Sequence, residues 1–220
     1  VTELITLKEP TSSAAEAYRV LRTNIQFAAL NNPIRTLIVT SAANEDGKSY
    51  TLANLAVTMA QSGHRTLIVD ADLRRPSQHT LWKLPNDRGL TSLLLNTHQG
   101  LPIHSTSVPN LTVMTSGPLP PNPADLLGSK RLTEINALWA ELADYVLFDC
   151  PPVLATADTP LLATRMDAVL MVIKAGATRR DHAQRAAEAL SRANARVIGA
   201  ALTNAPRDAS INTYAQRKSP

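Results

Sequence analysis

The sequence is poor in cysteine and in aromatic rings: one Cys, at position 150, and 4% Phe, Trp and Tyr among 220 residues. A single cysteine excludes an internal disulfide and suits a reducing, cytosolic compartment. With few rings available, the core has to be built from Ala, Leu, Val and Ile. No apolar run approaches the length needed to cross a bilayer, and no signal peptide is visible. There is no run of basic residues either. The net charge of +4 is mild, and Arg74-Arg75, Arg179-Arg180 and Arg217-Lys218 are isolated pairs with no aromatic platform between them. No nucleic-acid partner is expected from such a pattern. The five histidines (His64, His79, His98, His104, His182) lack metal-ligand spacing, and no Ser/His/Asp pattern points to acyl hydrolysis.

What the chain does have is rhythm. Its 44% hydrophobic and 18% charged residues fit one folded domain with a full core. Residues 36–40 (TLIVT), 66–70 (TLIVD), 145–149 (YVLFD) and 168–173 (AVLMVI) are nearly continuous apolar runs. Such runs read as strands buried on both faces of a parallel sheet. Residues 111–114 and 197–202 are weaker candidates. Helical patterns cover residues 48–61, 126–143 and 181–194, and an amphipathic helix over about 14–30 precedes the first strand. The expected fold is α/β: a doubly wound, mostly parallel sheet with helices on both faces, of P-loop NTPase type. Residues 118–123 (PLPPNP) form a stiff connection that cannot be helix or central strand. Residues 1–206 read as the domain and 207–220 as a flexible polar tail.

Residues 40–51 (TSAANEDGKSYT) follow a strand and open a helix, the context a phosphate loop requires. A helix start offers unpaired N–H groups and positive dipole character to phosphate oxygens. Gly47 permits close backbone approach, Lys48 can reach the β- and γ-phosphates, and the Ser49 hydroxyl can ligate Mg²⁺. The pattern's first glycine is replaced by Ala42, and Glu45 and Asp46 place negative charge near a polyanion. Two further acidic motifs sit at strand ends. Asp70 and Asp72 lie two apart in TLIVDADLRRP, so both can face one side, at the end where α/β sheets bind ligands. Asp149 closes YVLFD. Three carboxylates around Lys48 and Ser49 can supply Mg²⁺ coordination and a base to orient a nucleophile. Each taken singly also fits a helix cap or strand-end turn. Cys150 reads as packing.

Together "SAANEDGKS", "LIVDADLRRP" and "LFDCPP" resemble the Walker A, A′ and B motifs of the bacterial tyrosine kinases (BY-kinases) of the capsular and exopolysaccharide co-polymerase group. The likeness spans nearly the whole chain. "EAYRVLRTNIQF" is similar to that family's E-x-x-R-x-x-R oligomerisation helix, through Glu16, Arg19 and Arg22. "GPLPPNPADLLGS" is similar to its proline-rich segment, with Asp125 in place of Glu. The resemblance implies Mg-ATP-dependent autophosphorylation on tyrosine, with ATP or ADP and Mg²⁺ as cofactors. It implies nucleotide contacts from Ala43, Asn44, Glu45, Asp46, Gly47, Lys48, Ser49 and Tyr50, with Asn204, after Thr203, near the adenine. Ser49, Asp70 and Asp149 would hold the metal. Lys48, Asp70, Asp72 and Asp149 would serve catalysis, with Asp70 or Asp72 helping to activate a tyrosine hydroxyl whose pKa is about 10.

Further implications are a ring-like homo-oligomer, a transmembrane co-polymerase segment that is fused or separate, protein-tyrosine substrates, and a place at the inner face of the bacterial cell membrane. Asn44-Glu45 replaces the family's usual Pro-Gly and Tyr50 its usual Thr. Where those kinases end in a tyrosine cluster this tail has one acceptor, Tyr214; Tyr18, Tyr50 and Tyr145 fall inside expected helices or strands. Ala43 stands where ParA/MinD-type ATPases carry a signature lysine. A ParA/MinD-like ATPase and a nucleotide-gated scaffold with little kinase activity are the alternatives.

Overall fold

The computed structural model describes residues 3–44, 46–97 and 100–205. The elements run α1 (Ile5–Lys8), α2 (Ser13–Ala28), β1 (Thr36–Ser41), α3 (Lys48–Gln61), β2 (Thr66–Asp70), α4 (Gln78–Trp82), α5 (Leu90–Leu94), β3 (His104–Ser105) and β4 (Leu111–Met114). They continue α6 (Pro123–Leu127), α7 (Lys130–Leu142), β5 (Tyr145–Asp149), α8 (Asp158–Ala163), β6 (Ala168–Lys174), α9 (Arg180–Arg192) and β7 (Val197–Thr203). The seven strands form one sheet in the order β3-β4-β2-β5-β1-β6-β7. All neighbouring pairs are parallel except β3 with β4.

The continuous apolar runs are explained by two cores, one on each face. Successive strand residues point to opposite sides. Leu37, Val39, Ile68 and Leu147 therefore pack with α3 on one face. Ile38, Leu67, Val69 and Phe148 pack on the other with Trp139 of α7 and Leu90 of α5. Helix α3 is buried almost all round, from Thr51 to Ala60, so its polar Asn54 and Thr58 need internal partners, and have them.

β5 lies between β1 and β2, pairing Asp70 with Asp149 and Val39 with Asp149 in register. All three motif-bearing strands are thus side by side, and their C-terminal ends open on one crevice. That is the placement the site needs.

Two expectations require correction. The helix expected over 126–143 is broken: α6 ends at Leu127 and α7 starts at Lys130. A Cβ on Gly128 would stand 3.2 Å from both the Ala124 carbonyl and Leu161 Cδ2. The Arg165 guanidinium donates to the freed carbonyls of Leu127, Gly128 and Ser129 at 2.7–3.1 Å, so the chain turns there with its acceptors satisfied. The proline-dense stretch is not wholly outside helix, because Pro123 occupies the first turn of α6, where its missing N–H costs nothing. The short helices α1, α4, α5 and α8 and the two-residue β3 were not expected.

Candidate nucleotide and phosphoryl-transfer site

β1 delivers Ser41 into a loop that climbs to Gly47 and then turns into α3. Gly47 has φ +84°, a left-handed conformation that costs glycine least, and no side chain caps the helix above it. The start of α3 therefore presents its amides to an anion.

Asp46 answers the question of unfavourable charge in the loop. Its carboxylate is turned inward: Oδ1 accepts from Thr178 Oγ1 at 2.6 Å and Oδ2 from the Ala43 amide at 3.3 Å. Thr203 Oγ1 donates to the Asp46 carbonyl at 3.1 Å. Asp46 is a strut between the loop and the far ends of β6 and β7, not a charge aimed at phosphate. Asp46→Ala should cost about 1.5–3 kcal/mol, as expected for lost hydrogen bonds to a charged group, read as a lower urea midpoint with unchanged m. An unchanged midpoint would mean the strut bears no strain.

Tyr50 is also turned from the loop. Its hydroxyl donates to the Glu3 carbonyl at 2.9 Å and accepts from the Ile5 amide at 3.0 Å. One turn on, Asn54 Oδ1 accepts from both the amide and the hydroxyl of Thr6. A tyrosine at this position straps α1 to α3, a role threonine is too short to fill.

Lys48 is the centre of the charge arrangement. Its ammonium lies 2.9 Å from Asp72 Oδ2, 3.2 Å from Asp149 Oδ1 and 3.4 Å from Ser49 Oγ. Burial opposes its charge, but the Asp149 and Asp72 carboxylates outweigh burial and raise its pKa. Asp72 also takes the Arg75 amide at 3.0 Å on Oδ1. Asp70, fully buried, does not touch Lys48: Oδ2 accepts from the amides of Ser77 and Gln78 at 3.0 and 2.9 Å. Burial first, and then the neighbouring Asp149 carboxylate, push Asp70 up to about 8 despite those amides. The crevice thus holds more buried negative charge than one lysine offsets.

Lys48 and Asp72 face a cleft of about 430 Å³, with Asn44, Ser49, Arg75 and Ser77 also on its walls. A second hollow of about 770 Å³ shares Gly47 and Tyr50 with it and runs between α2 and β7 past Thr203 and Asn204. Of the expected site residues, Asn44, Gly47, Lys48, Ser49, Tyr50 and Asp72 border the first cleft. Buried Asp149 joins them through Lys48, Asp70 lies beside Asp149 in register, and Ala43 is tied to Asp46, which borders the second hollow. Asn204 borders the second. Glu45, Tyr214 and the expected tail over 207–220 lie outside the described residues.

On α2, Arg19 pairs with Glu16 at 2.6 Å and reaches the Pro10 carbonyl, while Arg22 donates to the Thr58 carbonyl of α3 at 2.9 Å. Two further residues matter here: Arg75, at the end of the LIVDADLRRP stretch, and Gln78, outside all three motifs. Arg75 lines the cleft, and its guanidinium makes no hydrogen bond or ion pair among the described residues. By contrast Arg74 grips buried Asp158 with two bonds, of 2.7 and 3.1 Å. Gln78 bridges the motifs from beneath. Cys150 is buried, and burial pushes its thiol well up, as suits packing.

The donor set around Lys48 is all hard oxygen: a serine hydroxyl and carboxylates, which suits Mg²⁺. Among the described residues no three His, Cys, Asp or Glu side chains gather around one metal position. A cation here would draw on Ser49, a carboxylate, water and phosphate oxygens, as Mg²⁺ usually does with nucleotides. Burial is the main reason Asp70 is raised, and the Asp149 carboxylate that adds to it is a charge such a cation would offset. The residues fit the ion.

Comparison with known proteins shows the family. The model of the ParA family, described as NUBPL iron-transfer P-loop NTPase, matches residues 33–204. Tyrosine-protein kinase YwqD of Bacillus subtilis is 42% identical over 90% of this chain and 84% of its own length. Tyrosine-protein kinase etk of Escherichia coli is 30% identical over 94% of this chain, which spans only 28% of that longer protein. The crystal structure of the chimerical protein CapA2B2 superposes with a TM-score of 0.89 at 36% identity, covering 93% of this chain and 90% of that one.

Proposed function

The chain belongs to the bacterial tyrosine kinases, within the ParA-type P-loop NTPases, and from that premise we propose how its cleft carries out the family's reaction. It is an ATP-dependent protein-tyrosine kinase. The observation that carries the site assignment is the Lys48 ammonium held between Asp72 and Asp149, at the uncapped start of α3. Phosphate oxygens would be received by the amides following Gly47 and by Lys48, drawn off its carboxylates. Arg75 adds a second cation at the rim. Ser49, Asp149 and Asp70 would hold Mg²⁺, which would supply positive charge against the phosphates. Asp72, released by Lys48, would orient and take the proton of an incoming tyrosine hydroxyl. Little covalent chemistry falls to the protein in phosphoryl transfer, so positioning and preorganised charge account for most of the rate. Thr203 and Asn204 would border the adenine.

The acceptor we assign is Tyr214. Tyr50 and Tyr145 are engaged within the fold, in the strap to α1 and in an edge contact with His64, and burial pushes the Tyr18 hydroxyl up. Transfer would pass between copies in a ring-like homo-oligomer through the Glu16–Arg22 face of α2. Val20 and Phe27 stand 52% and 65% exposed on that helix, apolar area an interface would cover. No described helix is long and apolar enough to cross a membrane. We place the chain at the inner face of the membrane, beside or joined to a transmembrane co-polymerase segment and acting in polysaccharide export. The test is peptide mapping after incubation with Mg-ATP. Phosphate should fall on Tyr214, vanish in Tyr214→Phe, and appear on an inactive Lys48→Met copy only when an active copy is added. Phosphate confined to Tyr18, Tyr50 or Tyr145 would contradict the acceptor assignment.

A further inference from the structure

Gln78 lies in none of the three motifs, yet it touches all of them. It is the first residue of α4 and is fully buried. Its backbone N–H donates to Asp70 Oδ2 at 2.9 Å. Its side-chain Nε2 donates to Asp149 Oδ2 at 2.8 Å and to the Ser49 carbonyl at 3.2 Å. Its Oε1 accepts from Trp82 Nε1 at 3.1 Å, one helical turn on. The orientation of this amide is fixed by its partners. The indole N–H can only donate, whereas a carbonyl and a carboxylate accept. A flipped amide would set donor against donor once and acceptor against acceptor twice, so only one orientation is satisfiable.

The consequence falls on Asp149. With Oδ2 tied to Gln78, its carboxylate cannot rotate, and Oδ1 is left facing Lys48 at 3.2 Å. The same amide holds the main chain of Ser49, whose hydroxyl stands 3.4 Å from that ammonium. We propose that Gln78 is a positioning residue for the cation subsite, and that it aims Asp149 Oδ1 and Ser49 Oγ into the cleft as a pair. Trp82 acts one step further out, by fixing Gln78. The inference rests on the reading of the cleft as an Mg-nucleotide site. The backbone bond to Asp70 survives any replacement other than proline, so substitution isolates the side chain. Methionine matches glutamine in length and volume but donates nothing, leaving Asp149 Oδ2 buried without its partner. Outer-shell partners of metal ligands commonly change metal affinity about 10- to 100-fold.

The experiment is calorimetric titration with ADP, in Mg²⁺ and in EDTA, on wild type, Gln78→Met, Trp82→Phe and the double variant, with thermal melts of each. Wild type should bind ADP more tightly with Mg²⁺. Gln78→Met should lose about tenfold of that Mg²⁺-dependent gain and keep its affinity in EDTA within about twofold. Trp82→Phe should show a smaller loss of the same kind, and the double variant should be no worse than Gln78→Met, because the two act through one amide. Equal losses with and without Mg²⁺, additive losses, or a wild-type Gln78→Met would overturn the proposal. Should Gln78→Met melt too low to titrate, Trp82→Phe decides alone by the same criterion. A wild type with no gain from Mg²⁺ would instead overturn the cleft reading on which the proposal rests.

Discussion

Lys48→Met should lower tyrosine phosphorylation by about two to three orders of magnitude, the usual loss when a preorganised donor to developing charge is removed. It should also destabilise the nucleotide-free protein, an effect the activity alone would hide. The ammonium is the cation between Asp72 and Asp149, whose side chains are 5% and 0% exposed. Removing one member of a buried ionic cluster typically costs about 3–5 kcal/mol. Part of that cost should return as pH falls, because a carboxylate left without its cation can take up a proton. Urea denaturation of the variant at pH 7 and pH 5, in EDTA, checks both statements: the deficit against wild type should be smaller at the lower pH. A variant as stable as wild type at pH 7 would show that Lys48 does not sit on the carboxylates in solution.

The nucleotide-free protein should lose stability as pH rises from about 4 to about 8. Asp70 carries this expectation, since burial and Asp149 raise it to about 8, against about 3.9 for an unfolded aspartate. Between those values the folded state holds a proton the unfolded state has released. Folding then takes up a proton, and stability falls with pH by at most about 1.4 kcal/mol per unit. Above the folded value the loss levels off. Asp144, held low by hydrogen bonds from Arg65, acts in the opposite direction. Its stabilisation is lost only as pH falls below the ordinary carboxylate range, so it does not mask the effect. Melting temperatures at pH 5, 6, 7 and 8 in EDTA should decline, and saturating Mg-ADP should flatten the decline by supplying the missing positive charge. A flat profile in EDTA would mean that Asp70 is ionised throughout.

Much of the fold was legible because its strands are buried on both faces. Such a strand cannot alternate polar and apolar residues, so TLIVD and YVLFD stand out as runs closed by an aspartate, and β2 and β5 begin and end where the runs do. The order of the strands carried no comparable signal. That β5 enters between β1 and β2 is a matter of parallel crossovers, not of local pattern. The break at Gly128 was hidden because apolar periodicity continues across it; the packing of Leu161 and the guanidinium of Arg165 come from another part of the chain. In the site, the residue types were legible and their directions were not. Asp46 reads as repulsive charge beside a phosphate loop until the hydroxyl of Thr178, 132 residues away, is seen to donate to it. Gln78 looks like any polar residue in a loop, because its importance lies in partners from the ends of β2 and β5 and the start of α3.

The most direct test is the intact mass of phosphatase-treated protein incubated with Mg-ATP, beside matched samples with EDTA and with Lys48→Met. Phosphoryl transfer from ATP to this chain's own tyrosine requires a mass gain that depends on Mg²⁺, maps to tyrosine and is absent from the variant. Bound or hydrolysed nucleotide with no phosphotyrosine would contradict it, and would leave the cleft a nucleotide clamp.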